Sequence, residues 1–150
     1  MLTAKAKKIL KLLETGVSKY GENLRQKFSH FSNIDLIDPI YDLHKLFELR
    51  SKCKAYVHGH SAGGTNPSLI EMMHFNKPII LFDCSYNRST IENQGFYFKN
   101  SEELLEILES DSSTKINVLK INEIANTRYT WAKIREQYIK LFSKYSPPNK

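Results

Sequence analysis

Tyr56-Val57-His58-Gly59-His60-Ser61-Ala62-Gly63-Gly64-Thr65-Asn66-Pro67-Ser68-Leu69-Ile70-Glu71-Met72-Met73 is the stretch whose reading decides the fold. It opens on Ala55-Tyr56-Val57, a short apolar run that reads as a buried strand. It closes on a helix over Pro67 to Phe75, with Pro67 suited to the first turn and Thr65 or Asn66 to the cap. Between them lies a polar, glycine-rich loop. In an open α/β sheet, ligands bind outside the carboxyl ends of the strands, which puts this loop on the functional edge. Its glycines let backbone approach a ligand closely. The N–H groups of the first helical turn, backed by the helix dipole, are expected to be free and to receive phosphate without a lysine. Glu71 falls one turn into the helix, where a carboxylate can accept hydrogen bonds from two neighbouring sugar hydroxyls. The loop has neither the Gly-Lys-Ser/Thr of a P-loop nor a GxGxxG pattern, so on its own it points to phosphate and leaves the reaction open.

Outward from this stretch, Pro78–Phe82 and Phe96–Phe98 are apolar runs too short to be helices. Such runs, separated by helices, read as parallel strands covered on both faces. Ser101 opens a capped helix continuing to Leu108. Upstream, the pattern predicts a helix over Tyr20–Phe28, a strand over Ile34–Ile37 and, after the Asp38-Pro39 turn, a helix over Tyr41–Lys52 with Leu43, Leu46, Phe47 and the stem of Arg50 inward. Leu2, Ala6, Ile9, Leu10 and Leu13 have helical spacing, so the amino-terminal segment is expected to be an amphipathic helix stopped at Gly16. The tail from Lys115 to Lys144 is expected to be helical, ending at Ser146-Pro147-Pro148. Its stripe of Trp131, Ile134, Tyr138, Leu141 and Phe142 reads either as core or as a seam left for another domain. The fold class is α/β, one domain over residues 1–150, with a doubly wound parallel sheet flanked by helices.

Charge and cysteine usage narrow the function. The first 30 residues carry seven Lys/Arg against two Glu, residues 31–127 nine against thirteen, and residues 128–150 six against one. That is not the continuous basic stripe of a nucleic-acid binder. Two readings of the basic ends stand, solvated helix faces or contact with the anionic inner face of a membrane. No apolar run is long enough to span a bilayer, and the amino terminus lacks a secretory pattern, so a cytoplasmic protein is expected. Cys53 and Cys84, outside any CxxC pair, read as buried free thiols.

The string from Tyr56 to Glu71 closely resembles the donor-binding motif of bacterial family 4 glycosyltransferases, in a rhamnosyltransferase-like branch. The resemblance continues through Lys77-Pro78-Ile79-Ile80, Phe82-Asp83, Asn87-Arg88 and Gly95-Phe96-Tyr97-Phe98, and upstream through Tyr20-Gly21, Leu24-Arg25 and Asn33-Ile34 to Leu49-Arg50-Ser51. It implies the Rossmann-like carboxyl-terminal half of a GT-B fold and binding of a nucleoside-diphosphate sugar, a UDP- or dTDP-sugar, for surface polysaccharide assembly. It further implies retention of configuration, with no cofactor and no essential metal. Glu71 matches the glutamate expected on the nucleotide ribose. Gly63, Gly64, Thr65 and Asn66 match the loop facing the diphosphate and donor sugar, and His60 and Ser61 precede it. Arg88 is a candidate for donor phosphate, or for pairing with Asp83 or Glu92. No catalytic base is assignable.

Two departures qualify the resemblance. Many members carry a glutamate eight positions before the ribose-binding one, where this sequence has Gly63, a feature the rhamnosyltransferase-like branch shares. The acceptor-binding amino-terminal domain is expected to be absent, and the first strand of the donor half to be replaced by the lysine-rich helix Ala4–Leu13. A donor-binding half acting with a separate acceptor-binding partner is therefore the leading expectation. A truncated, non-catalytic remnant and a nucleotide- or phosphate-binding module are the alternatives.

Overall fold

The first element in the computed structural model is a strand, Leu10–Leu13 (β1), paired in parallel with Ile34–Ile37 (β2), with Leu10 opposite Ile34 and Leu13 opposite Ile37. Over Leu10–Leu13 this corrects the expected helix, whose earlier residues, 1–9, lie outside the described residues. Four residues are too few to separate a period of two from one of 3.6, and pairing with β2 settles the matter. The structure describes residues 10–13, 19–110 and 116–145, so the Gly16 stop and the Ser146-Pro147-Pro148 ending lie outside the described residues.

Two compact units divide the chain, Met1–Leu49 and Arg50–Lys150. In the first, helix Lys19–Phe28 (α1) lies between β1 and β2, and its Arg25 Nη2 is 2.5 Å from Asp38 Oδ1. Helix Leu43–Lys52 (α2) starts two residues later than expected because Asp42 caps it, accepting from His44 N at 2.9 Å and Lys45 N at 3.2 Å. Its expected inner face is only partly right. Leu43 and Phe47 are exposed, while Leu46, Leu49 and Arg50 are half-buried.

The second unit holds a parallel sheet in the order Tyr56–His58 (β3), Ile79–Phe82 (β4), Phe96–Phe98 (β5). Tyr56 stands opposite Ile79, and Ile80 opposite Phe96. The crossovers carry helices Pro67–Met73 (α3) and Ser85–Thr90 (α4). Helix α4 was not foreseen, because Ser-Tyr-Asn-Arg-Ser-Thr has no apolar periodicity. Helix Ser101–Glu109 (α5) follows, capped by Asn100, whose side chain accepts from Glu103 N. The tail is helical as expected, in two helices, Val118–Arg128 (α6) and Trp131–Tyr145 (α7).

The core gathers Leu69, Met72 and Met73 of α3, Ile79 and Leu81 of β4, Ile91, and Ile121, Ile124 and Ala125 of α6. Asn76, with φ 52°, turns the chain from α3 toward Pro78 and β4, a conformation asparagine tolerates better than most residues. Cys53 and Cys84 are free thiols, each half-buried. Trp131, Tyr138, Leu141 and Phe142 are exposed, which excludes the core reading of that stripe. No helix among the described residues is long and apolar enough to cross a membrane.

Candidate functional site

Strand β3 ends at His58, and residues 59–65 all lie exposed before α3 begins at Pro67. The shape of this loop follows from a few residues. Gly63 has φ +98°, where a side chain is strained. Gly64 has no such backbone demand, and a Cβ built there meets nothing within 4 Å. Its missing side chain leaves open space rather than relieving a contact inside the protein.

The loop is tied to the sheet by α4. Asn87 is 1% exposed, and its Nδ2 donates to His60 O at 3.0 Å and to Phe82 O at 2.9 Å. One buried amide thus joins the loop to the carboxyl end of β4. Thr90 donates to Tyr86 O at 2.7 Å, and its Oγ1 lies 3.5 Å from Thr65 Oγ1. Sequence reasoning met Asn87 only as part of a resemblance and passed over Thr90, because a buried polar staple has no spacing signature.

The start of α3 differs from expectation in one respect. Asn66 is the cap, and its Oδ1 accepts from Ser68 N at 2.9 Å. Its carbonyl accepts from Leu69 N at 3.1 Å and Ile70 N at 3.2 Å, and Pro67 has no N–H. The first-turn donors are therefore occupied by Asn66 itself rather than free. The donors left for an anion are those of the loop, since among the described residues no acceptor meets the N–H groups of Gly63, Gly64, Thr65 and Asn66. The helix dipole still places its positive end behind them.

Glu71, half-exposed on α3, is paired with Arg50, whose Nη1 lies 2.6 Å from Glu71 Oε2. Both charges act on Tyr56 between them. Burial raises the Tyr56 phenol pKa, Arg50 lowers it and Glu71 raises it. The Tyr56 hydroxyl is 3.0 Å from His58 Nδ1. His58 is 4% exposed, and its Nε2 has no partner among the described residues. Burial, and then the charge of His60, push the His58 pKa down to about 4, so the imidazole is neutral near pH 7. The His60 ring is 5.8 Å from that of His58 and, unlike it, exposed.

Arg88 is engaged elsewhere on the same edge of the sheet. Its Nε donates to Asp83 Oδ1 at 2.5 Å, and the guanidinium lies 4.0 Å from the Tyr97 ring centre. The hydrogen bond from Arg88 holds the Asp83 carboxyl below its usual range, with Lys99 Nζ at 4.0 Å adding to it. Of the two partners foreseen for Arg88, Asp83 is taken, and Glu92 pairs instead with Arg128 Nη1 at 2.9 Å. Among the described residues no group of three His, Cys, Asp or Glu is placed to hold a metal ion. The sequence-derived candidates thus converge as a loop, His60 to Asn66, with Glu71 on the helix that follows it and Arg88 folded onto Asp83.

The second unit is thus an α/β fold, a parallel sheet with helical crossovers and a glycine loop at a strand's carboxyl end, of the kind seen in GT-B structures. No protein-family model and no curated protein matches the chain. Among solved structures, the chain is similar to HepE of Anabaena in complex with UDP-glucose, with TM-score 0.75 and 18% identity over 91% of this chain and 41% of HepE. The same protein in complex with UDP gives TM-score 0.73 and 17% identity. A structure of the GtfA/B complex gives TM-score 0.53 and 11% identity over 94% of this chain and 37% of its own. The chain therefore spans about two-fifths of the length of these structures.

Proposed function

We propose that this chain binds a nucleoside-diphosphate sugar, a UDP- or dTDP-sugar, as the donor half of a glycosyltransferase. The observation that carries this is the open loop at Gly63–Asn66, whose N–H groups are unoccupied and whose Gly64 leaves space the protein does not use. An anionic diphosphate fits donors of that kind at the positive end of a helix. Glu71, in the following turns, is the acceptor for ribose hydroxyls. His60 and Ser61 border the sugar side, and Arg88, whose Nε is held by Asp83, is a further candidate for phosphate. The likeness to HepE, a protein solved with UDP-glucose, supports the choice of ligand.

The finer parts of the reading come from the resemblance at residues 56–71. They are a rhamnosyltransferase-like, retaining transfer that needs neither cofactor nor metal, in surface polysaccharide assembly. The acceptor would be supplied by a separate acceptor-binding domain. The exposed apolar face of α7, with Trp131, Tyr138 and Phe142, is a surface such a partner can cover. Calorimetric titration of the full chain with UDP-glucose and dTDP-glucose tests the central part. Saturable binding of either supports it. No binding of either removes it, and binding without turnover in the presence of an acceptor domain favours a non-catalytic nucleotide-binding module.

A further inference from the structure

We infer that Arg50 is a positioning residue for Glu71, and through it for the ribose, an inference that rests on the nucleotide-binding reading above. Arg50 lies in the last turn of α2 and Glu71 on α3, 21 positions later in the sequence. The two side chains differ in exposure, 16% for Arg50 and 53% for Glu71, while Nη1 and Oε2 are 2.6 Å apart. The cation is thus withdrawn from water and the carboxylate presented to it. The backbone beneath Arg50 is fixed as well, since Cys53 Sγ donates to Arg50 O at 3.1 Å.

The asymmetry within the carboxylate is what matters. Oε2 is held by the guanidinium, while Oε1 has no partner among the described residues. An unheld glutamate on an exposed helix samples many rotamers, and ordering it on binding costs affinity. A guanidinium with a fixed fork removes that freedom beforehand and leaves Oε1 unengaged. As a stabilising pair alone it would do little, because water and salt screen pairs with a solvent-exposed partner. Its consequence is orientation, and the ligand group oriented against Oε1 is a ribose hydroxyl.

The test compares UDP with 2′,3′-dideoxy-UDP on the wild-type chain, Arg50→Met and Arg50→Lys, with thermal unfolding of each. Wild type is expected to prefer UDP by about tenfold or more, the usual worth of hydrogen bonds to a charged group. Arg50→Met should lose most of that preference while keeping its fold, and Arg50→Lys should keep part of it. An undiminished preference in folded Arg50→Met overturns the inference. If Arg50→Met does not fold, an undiminished preference in Arg50→Lys overturns it equally. Wild type that binds UDP without preferring it over the dideoxy analogue overturns the role of Arg50 and leaves nucleotide binding standing, whereas absence of UDP binding removes both.

Discussion

Replacing Asn87 by alanine probes a side chain that joins the glycine loop to the sheet. Its Nδ2 donates to His60 O and Phe82 O at 3.0 and 2.9 Å from a position 1% exposed. Each such bond has a net worth of about 1 kcal/mol. Loss of both therefore costs about 2 kcal/mol. The Oδ1 atom has no partner among the described residues, so its removal adds no further cost. For a urea slope of about 2 kcal/mol/M, the midpoint should fall by about 1 M. Far-UV circular dichroism is the suitable probe, because the only tryptophan, Trp131, is 87% exposed and changes environment little on unfolding. Since one of the two bonds tethers the loop, affinity for UDP should also fall, by about tenfold once the ordering cost returns. Asn87→Ala with an unchanged urea midpoint and unchanged UDP affinity would refute the staple.

Two further expectations concern the surroundings of the site. A Cβ at Gly95 would meet Leu81 Cδ1, Ile91 Cδ1 at 2.6 Å and the Ile79 carbonyl at 3.0 Å, so Gly95→Ala should destabilise by about 1–3 kcal/mol in chemical denaturation. His58 has a folded pKa of about 4, below its unfolded value of about 6.5, so between these values the unfolded chain binds more protons. The His58 contribution is therefore fully present above about pH 6.5 and lost as pH falls toward 4, by no more than about 3 kcal/mol. His58→Asn should flatten that part of a stability–pH profile. Persistence of the slope would assign it to another group. Asp83, whose pKa is depressed by Arg88, acts in a lower window, where the usual carboxylate range is crossed.

The features legible in the sequence share a local cause. The apolar runs at Tyr56, Ile79 and Phe96 and the punctuated loop between β3 and α3 are set by residues adjacent in the chain. What escaped depends on partners distant in sequence. Leu10–Leu13 becomes a strand because β2 lies beside it, and the same leucines suit a helix equally well. The break between α6 and α7 at Tyr129-Thr130 has neither glycine nor proline to announce it. At the site, Asn66 was legible as a cap, but its occupation of the first-turn donors was not, because a cap and a free anion site have the same sequence signature. The pairing of Arg50 with Glu71 and the staple by Asn87 are tertiary facts with no local signal.

The central claim is that the loop from Gly63 to Asn66 is where a nucleotide sugar binds, and amide NMR spectra recorded during titration with UDP-glucose test it most directly. Gly63, Gly64, Thr65 and Asn66 should shift together and saturate, while Gly21 and Gly95, which lie outside the loop, serve as internal references. The Glu71→Ala chain should show the same set of shifts at about tenfold higher ligand concentration. Shifts confined to other segments, or a spectrum unmoved by UDP-glucose, would contradict the account.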